Sequence, residues 1–337
     1  MSFARFAIRP LVFLSTLLVA ALTPLLSPLH LTAQTPSGQP TGSSAPAAPS
    51  PQRPFPPLSP DHQQYLEQLL TIWEQSSSKV KRYTSDYMCW EYDPEFCSWR
   101  DPANNRLAAY LIKSGTIRFL APDKARFETE RVWGFDGPPE QAGQEPQYKP
   151  RSEKENRERW ICDGKAIYEY DFTNSRLYET RIPPEMQGDG LVNSPLPFLF
   201  GAKKDQILDR FWIRVITPEG ADNEYWLEAW PKRRQDAQNY RKLELIIARE
   251  DFLPKSLQIF APNYDPIKNP VSRVFEFKNR KVNSNWSGVQ NAMGLFVRPQ
   301  TPIGWKRVDR NALPASPQAA APGPANRQTA RPNEPRR

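Results

Sequence analysis

The sequence predicts a mainly β fold, an incomplete antiparallel barrel of about eleven strands covered by a few helices. Three observations lead there. Short aromatic and β-branched runs recur along the middle of the chain, separated by turn chemistry. One amphipathic helix precedes them. One apolar, helix-containing crossover divides them into two sets. A sheet of that size must close or have its concave face covered, because its apolar side chains cannot face water.

The helix opens at Ser59-Pro60-Asp61, a cap residue followed by proline in the first turn. Tyr65, Leu66, Leu69, Leu70, Ile72 and Trp73 then recur at helical spacing, and the serine run 76–78 ends the pattern. The strands expected after it cover 80–92, 107–120, 124–133, 159–162, 165–171, 176–182, 211–217, 223–230, 240–249, 254–260 and 271–279. Several alternate cleanly. In the last, Arg273, Phe275 and Phe277 share one face and Ser272, Val274, Glu276 and Lys278 the other. Between 240 and 249, Leu243, Leu245 and Ile247 oppose Lys242, Glu244 and Ile246. Hairpin turns are signalled at Ala121-Pro122-Asp123-Lys124, Asp163-Gly164 and Thr173-Asn174-Ser175. Residues 134–158 read as a long polar surface excursion. Residues 191–209 form the crossover, with an apolar knot at Leu196, Phe198, Leu199 and Phe200.

The flanks differ in kind. Arg5 and Arg9 precede an apolar run from Leu11 to Leu22, the pattern of a secretory signal peptide over 1–33; an uncleaved anchor is the alternative. Residues 34–58 form a Pro-rich linker, and 311–337 a Pro/Ala/Arg tail expected to be disordered. The folded domain is expected over 59–310. These readings place the protein outside the cytoplasm, in the periplasm.

Charge and inventory exclude several functions. The 337 residues carry 45 Lys and Arg against 37 Asp and Glu, a net +8. The flanks hold seven basic residues and one acidic residue, so residues 61–310 carry only +2. A nucleic-acid partner is therefore not expected. With two His and three Cys in the chain, His-based triads, multi-His metal sites and zinc modules are not expected either, and no cofactor is implied. No hydrolase elbow, phosphate loop or dinucleotide fingerprint occurs. The carboxylate pairs Glu128/Glu130 and Asp86/Glu91 are better explained as solvated strand faces than as glycosidase machinery. No catalytic residue is assigned, and the protein is read as a non-enzyme. Cys89 and Cys97, eight apart around an Asp93-Pro94 turn, are disulfide candidates in an oxidising compartment, with buried thiols as the alternative.

Four segments in order carry a family resemblance: SGTIRFLAPDKARFETE from Ser114, CDGKAIYEYDFTNSRLYET from Cys162, SPLPFLFG from Ser194, and the series LPKSLQIF, VSRVFEFKNRKVNSNW and GLFVRPQTPIGWKRV towards the end. Together they resemble the periplasmic outer-membrane lipoprotein carriers of the LolA and LolB type, and exported planctomycete proteins that look like their distant relatives. The resemblance implies a half-barrel enclosing an apolar cavity for lipid or lipoprotein acyl chains. By the same resemblance, Leu196, Phe198, Leu199 and Phe200 would belong to a lid, and Phe119, Phe127, Tyr168 and Tyr170, as cavity candidates, to the matching hairpins, with the choice of which of the four face inward left open. One departure stands out. The position before the hairpin proline, an Arg that latches the lid in the carriers, is Ala121 here. The expected function is an exported carrier or binding protein for such chains. The alternatives are an envelope sensor that contacts a membrane protein through the same fold, and a glycan-binding protein of the envelope using Trp226 and Trp230.

Overall fold

A computed structural model of the chain describes residues 51–141, 143–152, 156–184, 187, 198, 203–284 and 294–310, which all belong to one compact unit. The expected signal peptide, most of the linker and the C-terminal tail lie outside these residues, as do the lid candidates Leu196, Leu199 and Phe200. None of the described helices is long and apolar enough to cross a membrane.

Helix α1 runs from Pro60 to Ser78, with Ser59 as its cap: the Ser59 hydroxyl accepts from the His62 backbone N–H at 3.3 Å. Its apolar stripe buries Leu66, Leu69, Leu70 and Trp73 and leaves Tyr65 and Ile72 partly outside. The preceding residues do not hang free, since Phe55 is buried against the Arg214 guanidinium.

The strands are β1 (Arg82–Tyr92), β2 (Leu111–Leu120), β3 (Lys124–Gly137), β4 (Gln147–Pro150), β5 (Arg159–Asp163), β6 (Ala166–Asp171), β7 (Arg176–Arg181), β8 (Phe211–Val215), β9 (Glu224–Pro231), β10 (Lys242–Ala248), β11 (Pro254–Phe260), β12 (Ser272–Val282) and β13 (Lys306–Asp309). They form one open sheet in the order β13-β7-β6-β5-β3-β2-β1-β12-β11-β10-β9-β8, with β4 paired to the far end of β3. Every pairing is antiparallel except β13 with β7. The short helices α2 (Lys204–Arg210) and α3 (Arg234–Ala237) lie on either side of β8 and β9 in the chain. β1 and β12, distant in sequence, pair at the middle of the sheet. The chain thus builds one wing through β7, crosses over, and builds the other from its outer edge back to β1.

All eleven expected strands are present, together with two that the sequence patterns do not mark. β4 lies in the stretch expected to be a polar excursion: β3 continues to Gly137 and the chain folds back on it, so this part of the excursion is a hairpin. β4 and β13 are four residues each and largely polar, too short for alternation to show.

Turn chemistry works as expected. Gly164 takes φ +89° between β5 and β6, while the Asp163 carboxylate accepts from the backbone N–H groups of Lys165 and Ala166. Asp171 accepts from Asn174 N–H, and Ser175 adopts φ +51° in the next hairpin. Gly115 marks a register shift between β2 and β3, where a Cβ would lie 1.9 Å from the Glu128 carbonyl oxygen.

Candidate functional site

The register assigns each side chain to one of two faces. Tyr83, Tyr87, Cys89 and Glu91 of β1 share a face with Lys113, Ile117 and Phe119 of β2, with Ala125 and Phe127 of β3, and with Arg273, Phe275 and Phe277 of β12. On the other wing, Leu257, Leu243, Leu245, Leu227 and Ile213 continue it. This is the face that α1 covers, and one contiguous apolar cluster contains the buried residues of α1 and both wings.

That face is filled. Phe198, the described residue of the crossover's apolar knot, is 1 % exposed, stacked near Trp73 at 6.2 Å and edge-on to Phe211 at 5.0 Å. Phe127 stacks on Tyr87 at 4.6 Å and on Trp160 at 5.6 Å. Phe119 is buried in the same cluster. The expected open hollow is therefore occupied, among the described residues, by aromatic and aliphatic side chains. Two concavities lie elsewhere among the described residues: one of about 460 Å³ between β6, β7 and Arg298, and one of about 400 Å³ on the outward side of α1 around Gln68 and Ile72.

Two cavity candidates are corrected. Tyr168 pairs with Ile161 and Glu179, and Tyr170 with Arg159 and Leu177, all on the face away from α1. There they form a second cluster with Ala166 and Trp305. The reason is parity: Cys162 faces α1, its partner Ile167 does too, and Tyr168 and Tyr170 are displaced from Ile167 by odd numbers of residues. Sequence alternation separated the two faces without saying which was inside.

The Cys89–Cys97 bridge is also absent: Cys89, Cys97 and Cys162 are free, buried thiols. The chain does not return beside β1 after Asp93. β1 instead takes residues 111–120 and 272–282 as its neighbours, so Cys89 lies opposite Lys113 and Phe275. Burial pushes the Cys89 thiol well above its ordinary range, with Glu91 adding to the effect.

A charged network closes one end of the covered face, and no local pattern in the chain announces it. Glu91, 3 % exposed, accepts from Tyr110 Oη at 2.7 Å and pairs with Lys113 Nζ at 2.9 Å and Arg273 Nε at 3.3 Å. Lys113 also reaches Glu158 at 2.6 Å. Burial works against the Glu91 charge, but Arg273 and Lys113 outweigh it and hold the carboxyl down at about 2. The network is charge-neutral and internally paired. Asp86 and Glu91 sit on opposite faces of β1, an odd number of residues apart, so they do not form a carboxylate pair.

The outer face carries chemistry of its own. Glu128 accepts from Arg126 Nη2 at 2.9 Å and from Arg159, with Arg157 at 3.9 Å. Burial raises its carboxyl, and the hydrogen bonds and charges of Arg126 and Arg159 more than reverse that, leaving it below the ordinary range. Trp226 and Trp230, with Trp212 opposite Trp230, lie half-buried on the outer face of β8 and β9. Trp226 Nε1 donates to Glu224 at 2.8 Å. Among the described residues, no group of three His, Cys, Asp or Glu is placed to hold a metal ion.

The protein is thus an open, curled antiparallel half-barrel with few helices and with one face sealed by α1 and Phe198. No protein-family model and no curated protein sequence matches the chain. Among solved structures, it is similar to an uncharacterized conserved protein from Thermus thermophilus, at TM-score 0.39 and 11 % identity, over 73 % of this chain and 100 % of that one. It is similar to a LolA superfamily protein from Nitrosomonas europaea, at TM-score 0.29 and 9 % identity, over 65 % and 94 % of the two chains. A MucA/MucB complex from Pseudomonas aeruginosa gives TM-score 0.27 and 11 % identity, over 66 % and 60 %.

Proposed function

We propose that the protein is an exported, non-catalytic binding protein that takes an acyl chain on the covered face of its half-barrel, with the crossover around Phe198 as the element that yields. The observation that supports this is the seal itself. The face is apolar across both wings, and Phe198 is held there by side-chain packing between Trp73 and Phe211.

Magnitudes decide which element moves. Lifting α1 would expose Leu66, Leu69, Leu70 and Trp73, at about 1.5–3 kcal/mol each, or roughly 6–12 kcal/mol together. Lifting Phe198 costs about 3 kcal/mol on the same scale. A dozen buried methylenes return on the order of 10 kcal/mol before entropy. A local opening at Phe198 is therefore outweighed by a wide margin, whereas release of the whole helix would consume most or all of the gain. Ala121 in place of a latching Arg fits a seal in which Phe198 is held by packing.

Organic extraction of the purified full-length protein, followed by mass spectrometry, tests the reading. Acyl chains at near-stoichiometric amounts are expected, and repeated extraction of none would overturn it. Leu199→Asp should abolish acyl uptake while the melting transition is retained. A collapsed transition would identify the crossover as core.

A second reading, a protein-contact module, is favoured by a different observation. Val274, Trp90, Ile112 and Trp133 sit side by side across β12, β1, β2 and β3 on the outer face, all half-buried. An envelope partner whose cross-linking is lost in Ile112→Asp and unaffected by delipidation would support it over the carrier reading.

A further inference from the structure

On the outer face of β2, β3 and β5, three guanidiniums gather around one carboxylate, and a fourth lies beside them. Arg126, Arg157 and Arg159 all address Glu128. Arg118 lies directly across the β2–β3 pair from Arg126, on the same face, with its Nη1 donating to Thr116 Oγ1 at 3.0 Å. Like charges directly opposite in a sheet are destabilising. A structural ion pair needs one cation per carboxylate, and here the three guanidiniums that address Glu128 exceed it by two, with Arg118 beside them. Two further acids lie nearby: Glu130, exposed two residues along β3, and Asp86, which stands across from Thr116 and accepts from Asn279 at 2.7 Å.

The cluster is recessed and ordered. The side chains of Arg126, Arg157 and Arg159 are 18 %, 25 % and 24 % exposed. Arg157 stacks over Phe172 at 5.1 Å, and Arg159 over Tyr170 at 5.3 Å. A ring over the face of a guanidinium leaves its edge to donate, and part of the Arg157 edge is already engaged, its Nε donating to the Thr129 carbonyl at 3.3 Å. Arg159 Nε is buried without a hydrogen-bond partner among the described residues. This concentration occurs in a region, residues 61–310, whose net charge is only +2, so the excess is local.

We propose that this cluster is a site for a phosphate-type oxyanion, either a free anion or the phosphate of a lipid headgroup, held by the edges of Arg118, Arg157 and Arg159 with Glu128 as their organiser. Planar guanidinium forks match a tetrahedral oxyanion through paired, charge-assisted hydrogen bonds. An anion there would relieve the Arg118–Arg126 repulsion. The site lies on the face opposite the proposed acyl-binding face, so neither proposal depends on the other.

The test uses the full-length protein and two probes: inorganic phosphate against chloride at matched ionic strength by titration calorimetry, and phosphatidylcholine vesicles with and without phosphatidylglycerol by co-sedimentation. Phosphate should bind, and Arg118→Ala and Arg157→Ala should each weaken it about tenfold, the usual loss for one charge-assisted bond. Lys268→Ala, an exposed cation on a distant loop, should leave binding unchanged. Vesicle binding lost in the same two Arg variants would also support the site and identify the headgroup as its source. The proposal is overturned if neither probe binds. It is equally overturned if Lys268→Ala weakens binding as much as the Arg variants, which would mark diffuse charge rather than a site. Urea midpoints of the variants confirm that each is folded, and two independent Arg positions guard against loss of one.

Discussion

Replacing Glu91 by Gln keeps the shape of the side chain and removes its charge, which isolates the buried network at the end of the covered face. In the native protein the Glu91 carboxyl is brought from its ordinary 4.5 to about 2, because Arg273 and Lys113 overcome the cost of burial. At about 1.36 kcal/mol per pH unit, that difference is worth about 3 kcal/mol of folding stability. Glu91 is 3 % exposed, so solvent screening removes little of it. The sign follows from the direction: a carboxyl lowered on folding contributes fully above pH 4.5, and its contribution fades as pH falls towards 2. Glu91→Gln should therefore be less stable than the native protein by about 3 kcal/mol at pH 7, the usual scale for breaking a buried pair. The gap should close progressively below pH 4.5. Urea unfolding of both proteins between pH 2.5 and 7 measures this directly, since other acid-sensitive carboxylates such as Glu128 and Glu228 are common to both. A gap below 1 kcal/mol at pH 7, or one that does not change with pH, would refute the account of the network.

Three further outcomes are expected. Gly115→Ala should cost about 1–3 kcal/mol in urea unfolding, because its Cβ would meet the Glu128 carbonyl at 1.9 Å and the bulge must shift. Asp236→Ala should cost about 3–5 kcal/mol, since it removes the carboxylate that neutralises Arg210, which is 4 % exposed and bonded to both carboxylate oxygens at 3.2 and 2.7 Å; the double change Arg210→Met, Asp236→Leu should recover much of that loss. Thiol titration with an aromatic disulfide should count three free cysteines in denaturant and almost none in the native protein, where all three are buried; a count of one in denaturant would restore the Cys89–Cys97 bridge.

The elements were legible in the sequence where the signal is local. Ser59 with Pro60 marks the start of α1, and alternation marks β10 and β12 with the faces as read. Turn residues locate the hairpins at Asp163-Gly164 and 173–175. Signals failed where length or partner choice mattered. β4 and β13 are too short to alternate visibly. Tyr168 and Tyr170 alternate properly, yet which side of the strand is covered depends on where α1 packs, and that contact is more than 80 residues away in the chain. The proximity of Cys89 to Cys97 in sequence pointed to a pairing that the strand order did not make.

The candidate sites divide the same way. The motif resemblance named Phe119, Phe127, Tyr168 and Tyr170 alike and left their faces open; the structure buries Phe119 and Phe127, with Phe198, in the covered cluster. The Glu91 network and the Arg cluster were invisible, since each gathers residues from at least three separate segments. In the sequence Glu128 was only half of a carboxylate pair; in the structure it is the centre of a basic cluster.

Local order along the chain set the period of each strand, the caps and turns, the leading helix and the low net charge of the folded region, because these depend on neighbours a few residues apart. Three-dimensional packing settled which face of the sheet is interior, which thiols and charges meet, and that the interior face is sealed by Phe198 and α1. Those outcomes follow from pairings such as β1 with β12, nearly 190 residues apart, and no local pattern encodes the partner a strand will find.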